Sequence, residues 1–314
     1  MDNICQEVVN VGIRRAIFEH IDPPVNWIHI DQPSEQELDS RLGSLNIRLP
    51  LQDSGQTRAA FHRYPHFFYL RVFKLDPSGL DHAELEAIAI HLIVTNTSML
   101  SWSMDSKVTE DFEDIQRKLQ AHPELVQSSN HLAFYVVDDL LEATFPFFDE
   151  FNDRIARIEH QTLHDSHDAR IKEEIFRLKR LTMQVKRILG SQRDVAYQLA
   201  RYWSAIPSMD TVYSFELYDH VIRLSDTADT YREMMDTILD IYLSSVSNRL
   251  NEIVKTLTIV TALFMPASVI AALYGMNFRV IPGAENPWGF YLVIGTVVAI
   301  SAILLWIFRR RKWI

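Results

Sequence analysis

Two long apolar stretches lie in the last fifth of the chain. The first runs from about residue 253 to 278 with a single charge, Lys255, near its start, and the second runs from 288 to 308 with no charge. Each has about the 20 residues that an α-helix needs to cross a hydrocarbon core of roughly 30 Å. The pattern predicts two transmembrane helices joined by a short loop, 279–287.

The residues that flank the two stretches predict their orientation. Arg309 to Lys312 follow the second stretch, and Arg249 precedes the first. Because cytoplasmic flanks carry an excess of Lys and Arg, both termini are expected in the cytoplasm and the loop outside. Aromatic residues mark the two interfaces, with Trp288, Phe290 and Tyr291 at the outer one and Trp306, Phe308 and Trp313 at the inner one.

A long helical region precedes the membrane. Residues 209–265 contain neither Gly nor Pro, and apolar residues recur there at intervals of three or four. One continuous helix over this length would reach ~85 Å at 1.5 Å per residue, and such a helix usually packs in a bundle. Residues 147–206 alternate charged and apolar positions, which predicts a helical hairpin on the long helix, with a turn near 164–168.

The first 145 residues or so differ from the rest. Residues 25–30, 66–73 and 87–95 read as strands, and 34–45, 106–119 and 131–143 read as helices. Strands interleaved with helices predict an α/β domain. The expected order is therefore an α/β domain (1–145), a helical hairpin with a long stalk helix (146–250), a first transmembrane helix (251–278), an external loop (279–287), a second transmembrane helix (288–308) and a basic tail (309–314).

Composition excludes several functions. The net charge of −10 argues against nucleic-acid binding. Cys5 is the only cysteine, so disulfides within the chain are excluded, and the first residues lack the features of a signal or transit peptide. No Gly is followed by Lys, so there is no Walker-type phosphate loop. Because no catalytic constellation is recognisable, we expect a protein that is not an enzyme and needs no organic cofactor.

The segment Tyr274-Gly275-Met276-Asn277-Phe278 closes the first apolar stretch. Together with residues 243–252 and the basic C-terminal residues, it resembles the CorA magnesium-transporter family. The resemblance implies a funnel-shaped homopentamer in the inner membrane of a prokaryote, in which the first spans line a pore and Gly275, Met276 and Asn277 select the ion. The implied cargo is Mg²⁺, with Co²⁺ and Ni²⁺ as further candidates, and the implied regulator is cytoplasmic Mg²⁺.

One face of the first apolar stretch mixes small polar and apolar residues at helical spacing. Polar rings on this face can hydrogen-bond the water shell of an ion, and apolar rings can close the path by dewetting. A helix–helix interface rich in small residues has the same periodicity, and the resemblance favours the pore. We call this set the predicted pore face: Asn251, Val254, Leu257 (or Thr258), Thr261, Met265, Ser268 and Ala272.

Asn277 is suited to a hydrated ion. Mg²⁺ gives up its octahedral water shell reluctantly, and a ring of amide carbonyls can accept hydrogen bonds from that water. Gly275 is expected to permit the backbone turn that presents the amide. Arg279 follows two residues later, and five copies of it would repel cations unless Glu285 neutralises them.

Two further groups of residues are candidate metal ligands. By the resemblance, Glu216 matches the acidic regulatory ligand of the stalk, with Asp219 close by; a solvated acidic helix face is the alternative. His160, His164 and His167 have a spacing compatible with a transition-metal site; an ordinary polar tip of the helical hairpin is the alternative.

Two other functions stay open at this point. A zinc or transition-metal transporter on the same fold would use the histidine cluster, although Met276 differs from the Gly-Val-Asn motif of zinc-transporting relatives. A non-conducting, membrane-anchored cation sensor or scaffold would use the spans only as anchors.

Overall fold

The computed structural model describes residues 13–45, 47, 58–82, 85–164, 169–206, 209, 211–276, 286–311 and 313. The chain divides into two compact units, Met1–Leu239 and Asp240–Ile314. The boundary between the two units falls inside one long helix.

A six-stranded mixed sheet forms the centre of the first unit. The strand order is β1-β2-β6-β5-β4-β3, and only β2 and β6 pair in parallel. The strands are β1 (Ile13–Phe18), β2 (Val25–Asp31), β3 (Ala60–Arg63), β4 (Phe67–Asp76), β5 (Glu86–Thr95) and β6 (Ser98–Ser103). The three predicted strands are confirmed as β2, β4 and β5.

The sequence pattern missed β1, β3 and β6 for identifiable reasons. Strand β6 carries three serines, of which Ser101 and Ser103 are fully buried and hydrogen-bonded. Strand β1 contains Arg14, whose guanidinium binds Asp31 of β2 across the sheet. Strand β3 is only four residues long and has no buried member. Polar groups whose partners lie on other strands therefore hid the alternation of two strands, and the third strand is too short to show an alternation.

Helix α1 (Glu35–Ser44) covers one face of the sheet. Its start is fixed by a capping box, in which Ser34 and Glu37 each accept from the other's backbone N–H. The helix buries Leu38 and Leu42 against a cluster from the sheet: Ile30, Ile93, Leu100 and Trp102. Helices α2 (Thr109–Ala121) and α3 (Ser129–Glu142) follow β6, so all three helices predicted in this region are confirmed.

A hydrogen-bonded network is buried beneath α2. The indole N–H of Trp27 donates to Ser101 Oγ, and the two ring nitrogens of His29 lie 2.9 Å from Ser101 Oγ and 3.0 Å from Asp31 Oδ1. The ring of Phe112 stacks on His29 at 3.7 Å. Burial lowers the pKa of His29, so the network is built around a neutral imidazole.

Three long helices complete the chain up to the second apolar stretch. They are α4 (Phe145–His164), α5 (Ala169–Trp203) and α6 (Thr211–Tyr274). The predicted hairpin is confirmed as α4 and α5, and its turn lies outside the described residues. Two ion pairs join α5 to α6, Lys179–Asp236 at 2.7 Å and Lys186–Asp229. The apolar stripe predicted for the long helix is buried in the first unit: Leu217, Val221, Leu224, Ala228, Met235 and Ile238.

Candidate ion pathway

The second unit holds the two apolar helices that the sequence predicts. The first is the later part of α6, which extends 64 residues in all, and the second is α7 (Gly289–Arg310) with 22 residues. Both are long and apolar enough to cross a membrane, and almost none of their apolar surface is buried within the chain. Soluble proteins rarely expose apolar patches of this size, so these surfaces must be covered by lipid or by other helices.

The predicted pore face forms an exposed stripe along α6. All seven of its members are exposed within the chain, including apolar Leu257 at 63% and Met265 at 59%. Leu257 lies at the edge of the stripe, and Thr258 lies within it. The hydroxyl of Thr258 donates to the carbonyl of Val254 at 2.7 Å. At 3.6 residues per turn the other members share one side of the helix.

The opposite side of α6 is turned toward α7. Ala267, Ile270, Ala271 and Tyr274 line a cavity of about 450 Å³ together with residues of α7, among them Gly289 and Val293. The helical period places these four α6 residues across the helix axis from Thr261, Met265 and Ser268. The two helices of one chain therefore pack by the side of α6 that leaves the predicted pore face free.

Pro266 and Gly275 shape the end of α6. The helix continues through Pro266 to Tyr274, although a proline cannot donate to the carbonyl one turn earlier. The N–H of Gly275 donates to the Ala271 carbonyl at 2.9 Å. A Cβ added at Gly275 would lie 3.2 Å from that same oxygen. The backbone of Gly275 is not left-handed, so crowding against Ala271 is the local reason for a glycine here, and the expected conformational reason is not observed.

Three of the residues predicted for the ion pathway and its mouth lie outside the described residues. They are Asn277, Arg279 and Glu285. Of the motif, the structure describes Gly275 and Met276, and the side chain of Met276 is about half exposed. The roles assigned to Asn277 and to the charges of the loop remain predictions.

Glu216 and Asp219 lie near the start of α6, and both are exposed. One turn after Glu216, His220 Nδ1 lies 2.7 Å from Asp138 Oδ1 of α3. Beside this pair, the rings of Tyr135, Phe134 and Tyr213 pack edge to face. Burial and the hydrogen bond with Tyr213 raise the pKa of Tyr135, and the carboxylates of Glu216 and Asp138 add to the effect.

Sequence reasoning singled out Glu216 and Asp219 but missed the pair formed by His220 and Asp138. The two partners are 82 residues apart in the sequence. Their juxtaposition follows from the packing of α3 on α6, which no local pattern encodes.

Metal ligands do not converge within the described part of this single chain. Among those residues, no three His, Cys, Asp or Glu side chains form a possible metal site. His160 is exposed near the end of α4, the side chain of His164 is not described, and His167 lies outside the described residues. The histidine cluster therefore remains a prediction, and a regulatory site at Glu216 would need a ligand from outside the described part of this chain.

Comparison with known proteins decides the family. The sequence model of the family described as "CorA-like Mg2+ transporter protein" matches residues 24–310. The chain belongs to this family. The relatives to which it is similar are transport proteins, in agreement with the expectation that it is not an enzyme.

Two CorA-like relatives are similar in sequence. A cobalt/magnesium transport protein CorA from Thermotoga maritima is 29% identical over 251 residues, which cover 79% of this chain and 70% of that protein. A protein of the same name from Methanocaldococcus jannaschii is 26% identical over 292 residues, covering 92% and 91% of the two chains.

A solved CorA-like structure confirms the fold. The complete structure of the CorA magnesium transporter from Methanocaldococcus jannaschii superposes with a TM-score of 0.77 at 23% identity, and 92% of each chain is covered. The α/β domain, the long helix and the two C-terminal transmembrane helices of this chain are those of the CorA-like fold. The likeness extends through the first unit, where the sequence resemblance is loosest.

Proposed function

We propose that the chain forms a homopentameric, passive channel for divalent cations, with Mg²⁺ as the main cargo and Co²⁺ and Ni²⁺ as further candidates. The observation that carries this proposal is the position of α7. It packs against α6 on the side opposite the predicted pore face, so the mixed polar and apolar stripe is free to surround a central path. Membership in the CorA-like family supports divalent cations as the cargo.

Conduction requires several copies because two helices cannot enclose an aqueous path. In a ring of five, each α6 contributes the same stripe to the centre, and each α7 lies outside it. Both spans are helical, so nearly all of their backbone groups are paired within their own helix, as a hydrocarbon environment requires. The exception is the carbonyl one turn before Pro266, to which that residue cannot donate.

The stripe offers alternating polar and apolar rings. Asn251, Thr261 and Ser268 present oxygen and amide groups that hydrogen-bond the water shell of an ion. Val254, Leu257 and Met265 form apolar rings, which close the path when it empties of water. At the end of the stripe, Asn277 holds the ion through its shell and leaves the inner waters in place.

Movement of the ion needs no chemical energy. Each elementary charge that crosses a membrane potential gains ~2.3 kcal/mol per 100 mV, and a divalent ion gains twice that. With both termini in the cytoplasm of a prokaryote, the inside-negative potential of the inner membrane drives uptake. Cytoplasmic Mg²⁺ closes the channel by binding Glu216 and Asp219 together with ligands of a neighbouring subunit, and its loss frees the subunits to separate.

Flux into vesicles tests the function. The purified protein is reconstituted into liposomes that contain a Mg²⁺-sensitive dye, and a potassium gradient with valinomycin sets an inside-negative potential. We expect Mg²⁺ to enter, and Asn277→Ala to reduce the entry by at least tenfold. Asn286→Ala is the matched control, because Asn286 caps the turn before α7 through the backbone of Trp288 and lies outside the motif.

Ion competition in the same vesicles separates the alternatives. If Zn²⁺ enters while Mg²⁺ neither enters nor competes, the chain is a zinc transporter on the CorA-like fold. If neither Mg²⁺, Co²⁺, Ni²⁺ nor Zn²⁺ enters, and Asn277→Ala changes nothing, the channel proposal is wrong and the spans serve as anchors of a sensor.

A further inference from the structure

The end of α7 carries a concentrated positive charge. Arg309 and Arg310 form the last residues of the helix, and Arg311 is its C-cap, where the N–H donates to the Ile307 carbonyl at 3.0 Å. All three arginines are exposed. The last carbonyls of a helix attract cations, so the helix end favours this charge but does not neutralise it.

No acidic side chain of the second unit lies near these arginines in the sequence. After Glu252, the only acidic residue of the whole chain is Glu285, which precedes α7. The 22 residues of α7 span ~33 Å, so Glu285 and Arg309 flank opposite ends of a membrane-length helix. By contrast, Arg249 on α6 is paired with Glu252 at 3.0 Å.

Two tryptophans are held beside the arginines. The guanidinium of Arg310 lies 5.3 Å from the ring centroid of Trp306, in cation–π geometry. Trp313 folds back and stacks on Phe308 with ring centroids 5.7 Å apart, while its N–H donates to the Phe308 carbonyl at 2.9 Å. Tryptophan is enriched at the level of lipid headgroups because its ring is amphipathic.

We propose that the end of α7 is a binding site for the phosphate groups of anionic phospholipids. The site consists of Arg309, Arg310 and Arg311 with the flanking rings of Trp306 and Trp313, and we call it the arginine–tryptophan cluster. A planar guanidinium binds phosphate oxygens in a bidentate manner, and the rings place three such groups at the edge of the hydrocarbon. An anionic lipid supplies the counter-charge that no acidic side chain next to this end of α7 in the sequence supplies, and it fixes the depth of α7 in the bilayer.

Lipid, and no soluble anion, is the occupant that fits the position. The arginines directly follow the hydrophobic part of a transmembrane helix. A negatively charged bilayer surface strengthens the binding of a basic segment by about fivefold for each Arg that lies near it. The inference is independent of ion conduction. Absence of Mg²⁺ flux with a retained preference for anionic lipid would contradict only the proposed function. Normal Mg²⁺ flux without that preference would contradict only this site.

Quenching of tryptophan fluorescence by brominated lipids tests the site in the full-length protein. Trp27, Trp102 and Trp203 are buried in the first unit, and Trp288→Phe removes the tryptophan at the other end of α7. The protein is placed in phosphatidylcholine vesicles that contain a minor share of either brominated phosphatidylglycerol or brominated phosphatidylcholine. We expect phosphatidylglycerol to quench several-fold more strongly at equal content, and this preference to fade as salt rises.

Variants assign the preference to the arginines. The triple variant Arg309→Gln/Arg310→Gln/Arg311→Gln should be quenched equally by both lipids, whereas Arg249→Gln should keep the preference because Arg249 is already paired. Arg310→Lys should keep most of it, since the charge remains. If the triple variant does not insert into vesicles, the single variant Arg310→Gln replaces it and should show a weaker preference for phosphatidylglycerol. The fading of the preference at high salt in the unaltered protein then serves as the second test.

Three results would overturn the site. One is equal quenching by the two lipids at low salt, and another is a preference that survives the triple substitution. The third is displacement by inorganic phosphate at millimolar concentration, which would make the cluster a site for soluble anions.

Discussion

His220 of α6 and Asp138 of α3 form a polar contact at 2.7 Å between Nδ1 and Oδ1. Both side chains are mostly buried, so the contact ties the long helix to the α/β domain in a region of low solvent screening. It lies one helical turn from Glu216, the candidate regulatory ligand. A movement of α6 relative to α3 must therefore break this contact, unless both side chains move together.

Asp138→Asn should destabilise the first unit. The substitution removes a charged acceptor and leaves the His220 ring with a weaker partner, which typically costs about 1–2 kcal/mol. Thermal unfolding of the purified protein in detergent measures the loss. Asp226→Asn, at an exposed position of the same helix, is the matched control and should have little effect; equal losses in the two variants would mean that the contact contributes nothing.

His91 should make stability depend on pH. Its Nδ1 lies 2.7 Å from the Tyr69 hydroxyl, and its ring stacks on Trp102. Burial, with a smaller contribution from the charge of Arg71, lowers the pKa of His91 from 6.5 to about 4. Between these two values the unfolded chain binds the proton and the folded chain does not, so stability falls as the pH drops through this window, by about 3 kcal/mol in total.

The control for this prediction replaces His91 with Phe. His91→Phe should reduce the slope of the pH profile between 6.5 and 5, where few carboxylates titrate. Part of the slope remains, because burial lowers the pKa of His29 as well. His62→Phe, which removes an exposed imidazole from β3, two strands away in the sheet, should leave the slope unchanged. Identical profiles for the protein and its His91→Phe variant would show that His91 does not titrate as described.

Glu216 and Asp219 should set the sensitivity to cytoplasmic Mg²⁺. The double variant Glu216→Gln/Asp219→Asn keeps the side-chain shapes and removes two charges that would bind the ion. The luminal Mg²⁺ concentration that halves flux is measured in vesicles with the first unit facing inward. We expect it to rise about tenfold because two anionic ligands are lost, and a tenfold change corresponds to ~1.4 kcal/mol of binding free energy. Glu233→Gln, also exposed on α6, should leave this concentration unchanged, and an unchanged value in the double variant would remove the regulatory role.

Gly275→Ala should impair the end of the first span. The added Cβ would lie 3.2 Å from the Ala271 carbonyl, which already accepts from the Gly275 N–H. The helix end must shift, and the motif shifts with it, so we expect a several-fold loss of Mg²⁺ flux with little loss of stability. Gly295→Ala in α7 is the matched control, because its Cβ would meet no atom within 4 Å. Equal flux in both variants would show that the crowding at Ala271 has no consequence.

The sequence predicted those elements whose hydrophobic pattern extends over many consecutive residues. The stripe from Leu217 to Ile238 identified α6, and uncharged runs of helix-spanning length identified both spans. Strand β6 escaped because Ser101 and Ser103 are buried through hydrogen bonds to other strands and side chains. A buried polar group satisfied at long range looks like a surface group in the sequence.

The sequence also predicted only part of the candidate ion pathway. Its periodicity predicted which residues of α6 share a face, but only the cavity between Ala271 and Val293 shows that α7 takes the opposite face. The contact between His220 and Asp138 was invisible because it depends on the packing of two helices that are far apart in sequence.

Thiol modification tests the central proposal, that the exposed stripe of α6 lines the ion path, most directly. Cys5 is the only native cysteine, so Cys5→Ser gives a cysteine-free background for single substitutions. A charged, water-soluble thiol reagent is added to vesicles during Mg²⁺ flux. We expect it to block flux through Thr261→Cys and Ser268→Cys, and to leave flux through Ala267→Cys and Ile270→Cys unchanged. Block at Ala267 and Ile270 with none at Thr261 and Ser268 would contradict the proposal.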